Sequence, residues 1–79
     1  MKTHKELEIH YRYQIGKPIG ATEFICGRSV LWIPDGYLDQ VEACLYGIEK
    51  TKAIIWDYNT LKIRRVPITH IHPYPKEMK

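Results

Sequence analysis

The strongest constraint on how this chain folds lies between residues 53 and 66. The run AIIWDY (53–58) is dense in β-branched and aromatic residues, LKIRRV (61–66) alternates apolar and basic, and only Asn59 and Thr60 separate them. Such residues suit a pleated, half-buried surface, and a two-residue link containing Asn is the chemistry of a tight antiparallel turn. A hairpin is therefore predicted. Within LKIRRV, Leu61 and Ile63 oppose Lys62 and Arg64, but Arg65 and Val66 reverse the order, which a bend or bulge near Arg65 would reconcile. Pro67 cannot donate to a ladder and ends the strand. PITHIHP (67–73) then reads as a short turn whose Ile68 and Ile71 tuck inward before a last extended piece.

Upstream, residues 1–6 are polar and expected to fray. Leu7, Ile9, Tyr11, Tyr13 and Ile15 alternate with Glu8, His10, Arg12 and Gln14, the pattern of a strand with one wet face. GKPIGA (16–21) is a loop by its Gly and Pro content. TEFICGRSVLWIP (22–34) reads as a second extended run, with Gly27 marking a bulge or sharp bend. Residues 35–48 admit two readings. As a helix, Tyr37, Leu38, Val41, Cys44, Leu45 and Ile48 form one face, with Asp35 as N-cap and Gly47 as C′ residue. As a strand after an Asp35-Gly36 turn, Val41, Ala43 and Leu45 face inward and Glu42, Cys44 and Tyr46 outward. Local periodicity favours the helix.

Seventy-nine residues suit one domain with a small core. No stretch approaches the apolar length of a membrane span, so a cytoplasmic protein without a membrane partner is expected. In that compartment Cys26 and Cys44 read as reduced thiols. The formal charge of +3 permits an acidic or nucleic-acid partner without demanding one. There is no internal repeat and no low-complexity tract.

Residues 29–73, SVLWIPDGYLDQVEACLYGIEKTKAIIWDYNTLKIRRVPITHIHP, resemble the SH3-like barrels of the Tudor type. The likeness runs through an apolar strand ending in Trp32, an Asp-Gly turn, a second strand, a third strand ending in WDYN, and a close on VPITHIHP, similar to the family's Val-x-x-x-x-Ile-x-Pro ending. It implies strand for residues 41–46 and, with the N-terminal strand that alternation gives over 7–15, the expected fold is all-β: a small five-strand SH3-like barrel extended by that strand. The alternative is an α+β fold, a four-stranded antiparallel sheet with one helix at about 36–46. The resemblance also implies an aromatic cage for methylated arginine or lysine, with Trp32, Trp56 and Tyr58 at its positions; the family's second-strand aromatic falls at Asp39, leaving Tyr37 as the nearest substitute. Through DGYL..V and RVPITHI the chain is also similar to the YolD-like proteins of bacilli and their phages, whose context is the DNA-damage response.

Two side-chain sets carry candidate binding chemistry. Lys50, Lys52, Lys62, Arg64 and Arg65, with Arg28 nearby, form a basic set suited to phosphates, beside tyrosines that can stack bases; the same charges can instead keep a strand edge from pairing. Trp32, Tyr37, Trp56 and Tyr58 can surround a cation, or simply fill a small core. His4, His10, His70 and His72 with Cys26 and Cys44 include every ligand type zinc uses, yet the thiols stand singly, so no metal and no cofactor is expected. Pairing Cys26 or Cys44 with His70 lacks an orienting third group, so no catalytic residue is assigned. The expectation is a non-catalytic interaction module bound to nucleic acid or a nucleic-acid-bound protein. The alternatives are a reader of a methylated peptide and a regulator that captures a single host protein.

Overall fold

The computed structural model describes residues 3–34 and 40–74. It contains one short helix, α1 (His4–His10), and five strands: β1 (Arg28–Trp32), β2 (Val41–Glu49), β3 (Lys52–Asp57), β4 (Lys62–Pro67) and β5 (Ile71–Pro73), with a 3-10 turn at Ile68–His70. All pairings are antiparallel, and the strands form a single sheet in the order β4-β3-β2-β1-β5, not closed into a barrel.

The expected hairpin partners pair in unbroken register from Lys52 opposite Pro67 to Asp57 opposite Lys62. No bulge occurs at Arg65. The irregular alternation arises because both faces of the sheet are covered. One face carries Val30, Ala43, Leu45, Ala53, Ile55, Val66 and Ile71. The other carries Cys44, Tyr46, Ile54 and Trp56, capped by Leu7 and Cys26. Val66 therefore faces inward on the same side as Arg64, and Ile63 packs on the side of Arg65. The loop is also longer than the Asn59-Thr60 link: strand pairing stops at Asp57 and resumes at Lys62, and the Leu61 N–H, at a φ of 58°, closes on the Asp57 carbonyl at 2.7 Å.

Val41 through Glu49 form a strand paired with β1 and β3, so the helix considered for residues 36–46 does not form over its second half. The first part, with the Asp35-Gly36 turn, lies outside the described residues. Continuous apolar content explains the misleading helical period, since a strand buried on both faces need not alternate. Between Leu45 and Gly47 the ladder shifts by one residue, a bulge at Tyr46. Gly47 lets the Tyr11 ring pack closely there, since a Cβ would sit 3.1 Å from its hydroxyl and the ring would have to give by a few tenths of an ångström.

The N-terminal strand expected over 7–15 is replaced by α1. Thr3 Oγ1 accepts the Glu6 N–H at 3.2 Å and Glu6 Oε1 accepts the Thr3 N–H at 2.9 Å, a complete capping box that also orders residues expected to fray. Leu7 and Tyr11 are four apart, so they fit a helical face as well as they fit alternation. Leu7 is buried against the sheet, while Ile9 and Tyr13, which a strand would have turned inward, are exposed. Gly27 is the expected bend: it has a φ of 85°, and its N–H meets the Leu45 carbonyl at 2.7 Å. No helix among the described residues is long and apolar enough to cross a membrane.

Candidate functional site

Asp57, the last residue of β3, is 2% exposed. A carboxylate buried this deeply requires partners, and four donors reach it. The N–H groups of Asn59 and Thr60 meet Oδ1 at 2.8 and 3.2 Å, while the Thr60 hydroxyl and Arg64 Nε meet Oδ2, each at 2.9 Å. Burial alone pushes the Asp57 carboxyl up, but the bonds from Thr60, Arg64 and the loop amides outweigh it and hold the group below its ordinary value. The side chain thus stays ionised at neutral pH and shapes the β3–β4 loop around itself.

Arg64 is fixed by the same network. Its Nε binds Asp57 and its Nη2 binds the Thr60 hydroxyl at 3.2 Å, two nitrogens on one side of the guanidinium plane. The outer edge, Nη1 with the remaining Nη2 hydrogen, meets no acceptor among the described residues. Arg64 Cζ lies 5.6 Å from the centroid of the Trp32 ring, and the Trp32 Nε1–H is buried with no partner among the described residues. Trp32, Pro34, Glu42, Asn59, Thr60 and Arg64 line an open groove of about 870 Å³ between the end of β1 and the β3–β4 loop.

The expected aromatic set is not brought around one ligand. Register puts Trp32 on the face of Ala43 and Asp57, and Trp56 on the opposite face with Cys44. Tyr37 lies outside the described residues. Trp56 and Tyr58 do meet, around a side chain from α1: His4 stacks on Trp56 at 5.0 Å between centroids, meets Tyr58 edge-on at 5.7 Å and Tyr46 at 5.8 Å, and pairs its Nε2 with the Tyr46 hydroxyl at 2.8 Å. Burial, with the Cys44 thiol beside it, pushes the Tyr58 phenol up to about 12.

The basic set is distributed along the edge strand β4 and its neighbouring turns. Lys62 and Arg64 share the face of Ile55 and Asp57, whereas Lys52 and Arg65 share the face of Ile54 and Trp56. Lys50 sits in the β2–β3 turn with a φ of 57°. Arg65 pairs with Glu49 at 3.5 Å, both well exposed, a contact of little energetic weight.

Cys26 and Cys44 are free and buried. Burial raises both thiols above their ordinary value, the opposite of an activated nucleophile. No group of three or more His, Cys, Asp or Glu among the described residues is arranged to hold a metal. From sequence alone Asp57 and Thr60 receive no role, His4 counts only as a metal ligand and Tyr46 only as a base-stacking ring; the legible signal for the first two was an Asp at a strand end followed by Asn and Thr, the residue types of side-chain-closed turns. No family model, curated protein or solved structure matches the chain.

Proposed function

We propose that the protein is a non-catalytic interaction module of the SH3-like type that associates with nucleic acid or a nucleic-acid-bound protein. The strand order β4-β3-β2-β1-β5, with a 3-10 turn joining β4 to β5, supports the SH3-like reading and the Tudor resemblance. So does the curl of the sheet: Arg64 of β4 lies over Trp32 of β1 although two strands separate them in the ladder.

One observation carries the nucleic-acid reading. β4 is an edge strand, so side chains of both its faces flank the same open border, and Lys50, Lys52, Lys62, Arg64 and Arg65 gather along it and its turns. A row of phosphates laid along that border meets cations from either side, and association releases condensed counterions. The methylated-cation reading is weaker, because Arg64 already covers the ring of Trp32 and His4 fills the space between Trp56 and Tyr58. The competing reading is capture of one host protein by strand addition, which the outer edges of β4 and β5, unpaired among the described residues, favour.

Anisotropy titrations of labelled single-stranded and duplex oligonucleotides over a range of salt test the proposal. Affinity should fall steeply with salt, and Lys52→Ala and Lys62→Ala should each weaken binding to all sequences alike and lower the duplex salt slope by about one. Failure of the folded protein to bind either oligonucleotide at low salt would reject it and leave strand addition.

A further inference from the structure

The groove beside Trp32 is lined by Arg64, whose outer donors meet no acceptor among the described residues. The Trp32 indole N–H is buried beneath the groove surface without a partner among the described residues, so the ring presents its apolar surface rather than its donor. Among the described residues Arg64 is tied along one edge only, to Asp57 and Thr60, so its guanidinium is held in place while its outer fork points away from both. A fork of this kind matches two oxygens of a phosphate or carboxylate.

We infer that this groove is a phosphate subsite for single-stranded nucleic acid, in which two oxygens of one phosphodiester take the outer fork of Arg64 and the adjoining sugar or base lies against the Trp32 ring. The inference rests on the nucleic-acid reading above and assigns it a specific contact. Charge favours an anion over a cation here. Of the acids among the described residues lining the groove, Asp57 is already neutralised by Arg64, which leaves exposed Glu42 opposing an anion, while Lys62 adds a cation on the face of Arg64. A methylated ammonium entering the groove would instead confront the guanidinium over the indole ring. The apolar wall of Trp32, Pro34 and Val41 offers an unpaired base or sugar a surface to lie against, which a base stacked inside a duplex cannot reach.

The chain has two tryptophans, and they lie on opposite faces of the sheet, so their indole N–H signals report the two sides separately. Titrating the isotopically labelled full-length protein with hexathymidylate should move the Trp32 indole signal and leave that of Trp56 nearly fixed; inorganic phosphate should move the same signal more weakly. Arg64→Lys, which keeps the charge beside Asp57 but loses the fork, should weaken hexathymidylate binding by about tenfold. Glu42→Gln, an exposed change with little bearing on folding, should tighten it several-fold. If hexathymidylate binds with the expected salt dependence while the Trp32 signal stays fixed, or if Arg64→Lys binds like the parent, the groove is not the subsite and the broader reading survives. If a trimethyllysine peptide moves the Trp32 signal and the oligonucleotide does not, the groove is a cation site and the inference is overturned. Absence of any nucleic-acid binding overturns both.

Discussion

Replacing Asp57 with Asn tests whether one buried carboxylate organises the groove. Asn retains the shape and one carbonyl oxygen, so the loop amides of Asn59 and Thr60 keep an acceptor, while the charge-assisted bond to Arg64 and the second-oxygen bond to Thr60 are lost. Hydrogen bonds to charged groups contribute about 1.5–3 kcal/mol. The Arg64 side chain is 37% exposed and regains water on release, which argues for the low end. A net loss of about 2 kcal/mol is expected, or a fall in Tm of roughly 8–16 °C for a domain of this size. The loss should also depend on pH in a defined direction. Because the folded carboxyl lies below its ordinary value of 3.8, its contribution is complete above that value and disappears as pH falls through the lower folded one. Urea denaturation followed by tryptophan fluorescence at pH 7 and at about pH 2.5 should therefore show a gap between parent and Asp57→Asn that narrows in acid. No gap at pH 7, or a gap of equal size in acid, would refute the argument that the ionised carboxylate holds the loop.

Three further outcomes are expected. Gly27→Ala should destabilise by about 1–2 kcal/mol or more in thermal melts, since the residue sits at a φ of 85° and a Cβ there meets Ile15 Cγ2 at 3.1 Å. His4→Ala should lower stability by about 1–2 kcal/mol through loss of the Tyr46 bond and the Trp56 stack, and amide exchange should quicken in α1 well before the β2–β3 ladder. The double change Cys26→Ser and Cys44→Ser should lower stability by about 1–2 kcal/mol per site, and chelator should leave the fold intact; stoichiometric zinc in the purified protein would contradict the latter.

The β3–β4 hairpin was legible because its signals are local, β-branched and aromatic runs, a short polar link and Pro67 at the strand end, whereas β2 is legible as strand only through the barrel resemblance and against its local helical period. Ile68 and Ile71 packed where the spacing placed them, the former partly and the latter fully buried. The N-terminal segment was not legible from apolar spacing, since residues four apart satisfy both a period of two and a period near 3.6. What decides it is polar chemistry at Thr3 and Glu6, in a stretch whose composition suggests fraying. The β3–β4 loop is longer than the Asn59-Thr60 link between the two runs suggests, because the Asp57 carboxylate collects two amides and a hydroxyl and thereby holds four residues out of the ladder.

The site was less legible for a reason that lies in strand parity. Trp56 and Asp57 are adjacent, so they must face opposite ways, but which of them shares a face with Trp32 depends on how β1 aligns with β2, and a shift of one residue exchanges the answer. The observed register, with Trp32 opposite Val41 and Ala43 opposite Asp57, gives Trp32 to the carboxylate side. Arg64, opposite Ile55, falls on that same side and is drawn over the indole by its bond to Asp57. Trp56 is left to the helix side, where His4 lies against it. Each tryptophan is thus covered by a nitrogenous side chain of its own chain, and the two sites are separable. A change at His4 should loosen α1 without altering the groove, whereas a change at Arg64 should alter the groove without releasing α1, and indole chemical shifts of the two variants provide the comparison. If either variant shifted both indoles equally, the coupling would run through the β2–β3 ladder and the groove could not be treated as an independent unit.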